Sequence, residues 1–219
     1  MSEALNAFMY NKSDIERLLE IHTLVGGSGR GRKHRVEVVN SSAIVLITAF
    51  WEAYCEDLCE ESVRVIIDNA DDPDLVPKEL RKSIAKEIDD DHDKLACWNL
   101  AGEGWRDVMM HRVSSPAFAR SLKFNTPKWG NIDALIHGIV GLKEVSRSWK
   151  WRGMKNATAR SKLNDYVELR GEIAHRGSGT QQVLKRQVED YFGHIERLVE
   201  LTDKAAEAHL VECVGSGFE

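Results

Sequence analysis

The chain has little of what interrupts helices or staples small folds. Its 219 residues include only 4 prolines, so long unbroken helices are open to it. There are 4 cysteines, Cys55, Cys59, Cys97 and Cys213, and no CxxC pair. That pattern excludes a zinc knuckle and a dithiol redox motif. Cys55 and Cys59 are four apart, stacked on one helix face, and read as reduced, buried thiols. Long apolar runs are also missing. The longest, Ala43 to Trp51, is interrupted only by Thr48 and is too short by itself to cross a bilayer. The opening MSEALNAFMYNKSDIERLLE has acids where a secretion signal needs a basic start and a long apolar stretch. The expectation is a cytoplasmic protein with no membrane partner.

Hydrophobic residues make up 42% and charged residues 30%, the balance of a globule with a core rather than a disordered chain. The length suits one large helical domain. No internal repeat or low-complexity segment interrupts it. The expected organisation is a single helical domain over residues 1–212, with 213–219 as a flexible tail. The net charge of −5 conceals an asymmetry. Glu52 to Asp91 holds 14 acids against 5 bases, whereas Lys143 to Arg176 holds 9 bases against 4 acids. A basic surface on an acidic protein suits a nucleic-acid site, and two solvated faces that balance each other give the same count.

Apolar spacing predicts an all-α fold. A first helix is expected from Leu5 to Val25, ending at Gly26. After the loop GGSGRGRKHR comes a long helix from about Val36 to Asn69, apolar nearly all round at SSAIVLITAFWEAYCEDL. The β-branched residues there could suggest a strand, but Phe50, Trp51, Tyr54 and Leu58 follow helical spacing. Asp71 to Pro77 reads as a turn. Shorter helices are expected over Pro77–Ile88, Lys94–Leu100 and Glu103–Val113. SSPAFARSLKFNTPKWGN reads as irregular, with Thr126 or Asn131 capping a helix from Asn131 to Val140. Two more helices follow, about Asn156 to His175 and Thr180 to Glu212.

The most informative segment is LNDYVELRGEIAHRGSG, residues 163–179, with Arg170 and His175 five apart. On an ideal helix five residues rotate about 140° and rise about 7.5 Å. The two side chains converge only if the helix stops near His175, and Gly177 is placed to stop it. An arginine forks onto phosphate oxygens, and a histidine transfers protons near neutral pH. Arg176 adds a third basic group. RNA carries its own nucleophile, the ribose 2′-hydroxyl. Its cleavage needs a base for that proton, an acid for the leaving 5′-oxygen and cations for the phosphorane. These groups can supply that without a metal or cofactor, and DNA would be spared. By spacing alone, the same pair also reads as a helix-end histidine on carbonyls and an arginine in a surface ion pair.

The segment resembles the Arg-x4–6-His motif of the HEPN superfamily, and the chain is most similar to its RiboL-PSP-HEPN branch. The likeness includes AFWEAYCEDL, FNTPKWGNIDAL, SRSWKWRGM and LNDYVELRGEIAHRG before a long last helix, roughly residues 40 to 200. It implies a HEPN-like helical bundle with additional short helices that forms a homodimer, bringing two Arg-His motifs into one cleft. It also implies metal-independent endoribonuclease activity on single-stranded RNA. Such proteins belong to toxin–antitoxin or anti-phage systems, with an antitoxin or defence-system protein as partner. The catalytic pair carries over to Arg170 and His175. Many members have a polar residue directly after the Arg, where this chain has Gly171; Glu172 is then the neighbour available to orient the site. A Tyr two residues after the His marks one subgroup, and here that position is Gly177. The alternative is a catalytically silent dimer that binds RNA, a nucleotide or a protein.

Four further features carry weaker signals. Glu52 lies in the most apolar helix, where an acid is costly unless paired. It can orient Arg170 or His175, or it can simply face solvent or make a structural ion pair. Trp149, Lys150, Trp151 and Arg152 interleave rings with charge, as single-stranded RNA would require; two such tryptophans also serve to pin a loop to a core. GGSGRGRK spaces glycines like a phosphate loop but lacks the Lys-Ser/Thr that follows in one, and reads as a basic loop. DDDHDK at 89–94 lacks the spacing and glycine of a calcium loop, and no metal site is expected.

Overall fold

The computed structural model describes residues 1–26, 36–176 and 182–218, without the side chain of Arg176. The basic loop after the first helix and the turn after His175 fall largely outside this range. Eight α-helices and no strand occur among the described residues: α1 Glu3–Gly26, α2 Glu37–Asn69, α3 Lys78–Asp89, α4 Gly104–Val113, α5 Pro116–Leu122, α6 Trp129–Val140, α7 Asn156–Arg176 and α8 Lys185–Val214. Short 3-10 turns cover Pro73–Leu75, Ala96–Leu100 and Val145–Ser148.

The architecture follows from α2. Its length and apolar composition would let it cross a membrane, but half of its most apolar window is buried within the fold. Trp51, Cys55, Leu58, Cys59, Val63, Ile66 and Ile67 sit at the centre of the core. Helices α1, α4, α6, α7 and α8 pack around it. The β-branched stretch stays helical with Ile44, Ile47 and Thr48 buried and Val45 and Leu46 partly covered by the neighbouring helices. Thr48 bonds back to the Ile44 carbonyl at 2.9 Å and meets the Tyr191 hydroxyl at 2.9 Å. Cys55 and Cys59 are free and buried, and burial pushes both thiols well above their ordinary range, which keeps them inert.

One expectation gives way. The segment expected to be irregular contains α5, begun by the Ser115 hydroxyl accepting the Phe118 amide at 3.1 Å, with Pro116 in the first turn. That is a standard helix start, hidden in the sequence by the helix's brevity. Helix α8 runs to Val214 and closes on left-handed Gly215 (φ 70°). The chain then folds back until Phe218 is buried and its amide meets Glu207 Oε2 at 2.8 Å. A single buried ring anchors the chain end, which composition alone could not show. Helix α6 also begins two residues before Asn131, whose carboxamide donates to the Thr126 carbonyl at 2.7 Å.

Candidate functional site

Helix α7 presents one stripe to the core, through Ala159, Leu163 and Val167. Arg170 continues that stripe by one turn and therefore leans inward against α2. Its Nη2 lies 3.4 Å from Glu52 Oε2, with both side chains about one-fifth exposed (22% and 20%). The same nitrogen donates to the Asn125 carbonyl at 2.9 Å. Burial raises the Glu52 carboxyl above the usual range; the Arg170 charge pulls it back, Glu56 pushes it up and Lys123 lowers it again. Glu52 is thus the partner of Arg170 rather than a solvent-facing acid.

His175 lies elsewhere. Helix α7 is continuous through Arg176, one residue past His175 and close to the expected end, and the stop expected at Gly177 lies outside the described residues. Within one chain the Arg170 and His175 side chains leave the helix about 140° apart. His175 is exposed. It shares its face with Glu168 and Glu172, seven and three residues earlier. Glu168 is paired with Lys128 at 2.6 Å. Glu172 lies on the far side of α7 from Arg170, lining a 430 Å³ groove with Tyr166 and Asp190 of α8. The side chain of Arg176 is outside the described part. A Cβ on Gly171 would meet nothing within 4 Å, so a side chain fits there, on the His175 side of the helix.

The tryptophan-bearing stretch divides in two. Trp149 is fully buried, edge-on to Trp51 with ring centroids 6.0 Å apart, and its Nε1 donates to Thr202 Oγ1 at 2.9 Å. It belongs to the core and has no face for a base, which corrects the RNA-stacking expectation at this residue. Trp151 is half-buried over the His194 ring, 5.6 Å between centroids. Lys150 and Arg152 point outward, on a tight turn closed by paired backbone bonds between Trp151 and Met154 and by left-handed Gly153 (φ 84°).

No group of three His, Cys, Asp or Glu side chains suited to a metal occurs among the described residues. In DDDHDK, Asp91 and Asp93 accept the backbone amides of Asp93 and Leu95 at 2.9 Å each, ordinary turn chemistry. A 710 Å³ cavity lies away from Arg170, between α3 and α4, with Glu87, Asp91 and Asp107 on its walls. Sequence reasoning missed Asn125 and Lys123. Both lie in the stretch read as irregular, and a backbone carbonyl acting as a site group leaves no trace in residue type.

An all-α bundle centred on one long apolar helix, with an Arg-x4-His on a second helix beside it, defines a HEPN-type domain. The chain belongs to the RiboL-PSP-HEPN family, whose sequence profile matches residues 10–208. That membership points to a nuclease or RNA-binding role. No curated protein and no solved structure matches the chain.

Proposed function

We propose that the protein is a metal-independent endoribonuclease whose working site is shared between two copies. One observation carries the reading: α7 is unbroken, so Arg170 is turned inward onto Glu52 and Asn125 while His175 faces outward. A two-fold pairing across the α7 ends would bring His175 of one copy to Arg170 of the other, twice over. The site then holds two imidazoles, one to accept the 2′-hydroxyl proton and one to protonate the leaving 5′-oxygen. The guanidinium stabilises the phosphorane. The 2′-oxygen bonds to phosphorus and the P–O5′ bond breaks, leaving a 2′,3′-cyclic phosphate and a 5′-hydroxyl. Glu52 holds Arg170 in place through its 3.4 Å pair.

The remaining parts of the reading follow the family: a cytoplasmic protein acting in toxin–antitoxin or anti-phage defence, with an antitoxin or defence protein as partner. A second reading, the catalytically silent dimer, is favoured by the engagement of Arg170 with Glu52 and Asn125 and by the bare Gly171. Cleavage of single-stranded RNA in excess EDTA separates the two. The expected products carry 2′,3′-cyclic phosphate by mass spectrometry. Ends bearing a 3′-hydroxyl, or activity that requires magnesium, refute the mechanism. No cleavage by a protein that still binds RNA selects the silent dimer.

A further inference from the structure

The segment between α5 and α6, residues 123–128, crosses the α2–α7 groove where Arg170 emerges. Three contacts seat it. The Phe124 amide donates to Glu56 Oε1 at 3.4 Å, the Asn125 carbonyl accepts from Arg170, and Lys128 Nζ pairs with Glu168 at 2.6 Å. Pro127 is buried beneath it. The backbone is therefore held on both helices, while the Lys123, Asn125 and Thr126 side chains face solvent. Lys123 immediately precedes Phe124, whose amide is bonded to Glu56 of α2, and its charge offsets part of the burial that raises the Glu52, Glu56 and Asp57 carboxyls. Arg170 and Lys123 are thus two cations from different elements beside one groove. Glu52 is matched by Arg170, and Glu56 is occupied by a backbone amide.

We propose that residues 123–128 are the seat of the RNA strand at the Arg170 site, with Lys123 holding a backbone phosphate and the Asn125 carboxamide reading the adjoining nucleotide. The proposal rests on the ribonuclease reading. A phosphate next to the one at Arg170 needs a flexible point charge, which a lysine supplies. A carboxamide offers a donor and an acceptor to a base edge or 2′-hydroxyl. Asn125 engages Arg170 through its carbonyl, so its side chain is free for this use.

The test uses a 2′-O-methyl oligonucleotide, which cannot be cleaved, and the matching RNA. Affinity for the first is measured by fluorescence anisotropy across about 50 to 300 mM KCl; losing one phosphate contact lowers the salt slope by roughly 0.7 for a single strand. Lys123→Gln is expected to lower the slope by that amount and to raise KM several-fold at little change in kcat. Asn125→Ala is expected to keep the slope and redistribute the cleavage positions. Lys94→Gln, an exposed lysine in the turn before the Ala96–Leu100 3-10 segment and outside the basic stretch, serves as the control and should change neither. Wild-type binding and cleavage with an unaltered slope and KM in Lys123→Gln, or an unaltered cleavage pattern in Asn125→Ala, overturns the seat alone. A wild-type protein that neither binds nor cleaves RNA removes the ribonuclease reading and the seat with it.

Discussion

The two sides of α7 differ in almost every physical respect. The inward side carries Leu163, Val167 and Arg170, and each has a fixed partner. The outward side carries Glu168, Gly171, Glu172 and His175, where an imidazole stands exposed and a glycine leaves open space. One side is committed to its own chain; on the other, Glu168 pairs with Lys128 while His175 stands exposed. The split keeps Arg170 and His175 apart within one chain, and on the proposed reading each copy would supply half of a shared site. Five residues along an unbroken helix turn the two side chains about 140° apart.

Removing either half should have the largest effect. Arg170→Ala and His175→Ala are each expected to lower RNA cleavage by about 10³-fold or more. Their stability costs should differ. Arg170→Ala strands half-buried Glu52 and should cost roughly 1–3 kcal/mol, while exposed His175→Ala should stay within about 0.5 kcal/mol. Urea denaturation measures both. If the halves come from different chains, a His175→Ala subunit should poison its partner. After equal mixing and full exchange, about half of the wild-type chains sit in hybrids and activity per wild-type chain falls to roughly half. Unchanged activity despite proven exchange would break the comparison.

The contrast within the tryptophan stretch comes next. Trp149→Ala should cost roughly 3–5 kcal/mol by removing a buried ring and leaving a cavity, whereas exposed Lys150→Ala should stay within about 0.5 kcal/mol. Equal, small losses in denaturant midpoint would return Trp149 to the surface.

The interior should also answer to pH. Burial and the Lys162 charge lower His194 to about 4, partly offset by its bond to the Ala159 carbonyl of α7 and by Asp190. Its folded value lies below its ordinary 6.5, so between those values the unfolded chain takes up the proton and the native one does not. Stability therefore falls as pH drops from about 6.5 towards 4, by up to about 3 kcal/mol from this residue. His194→Gln should flatten that part of the profile. An identical slope in the variant would show that other groups carry it.

The smallest expected effect sharpens the outward side. Gly171→Ala should stabilise the helix by roughly 0.5–1 kcal/mol, since nothing opposes a Cβ there. A melting temperature that falls would mean that residue 171 is crowded.

The helices were legible because periodicity reports burial. Leu5–Val25, the apolar run about Trp51 and the stripe Val188, Tyr191, Ile195, Leu198 each sit where their spacing puts them. The pairing of Arg170 with Glu52, open in the sequence, is now explicit. Helix α5 was missed because seven residues are too few for periodicity to register, leaving only Ser115 and Pro116 as its signature. Trp149 and Trp151 look alike in sequence, and only the packing of Trp51 and Thr202 separates the core ring from its half-buried neighbour.

By itself the sequence determined the all-α class, the central place of α2, the family and the two residues that bear its motif. Each is a matter of residue type and interval, and side-chain burial at 3.6-residue spacing needs no knowledge of the neighbours. The tertiary structure alone decided that Arg170 belongs with Glu52 and the Asn125 carbonyl, that His175 does not, and that Phe218 ties down the chain end. Those are relations between segments 45 to 118 residues apart or between a chain end and a helix turn. They are settled by where a guanidinium finds its hydrogen-bond acceptors and a ring its cover, and no interval along the chain encodes that.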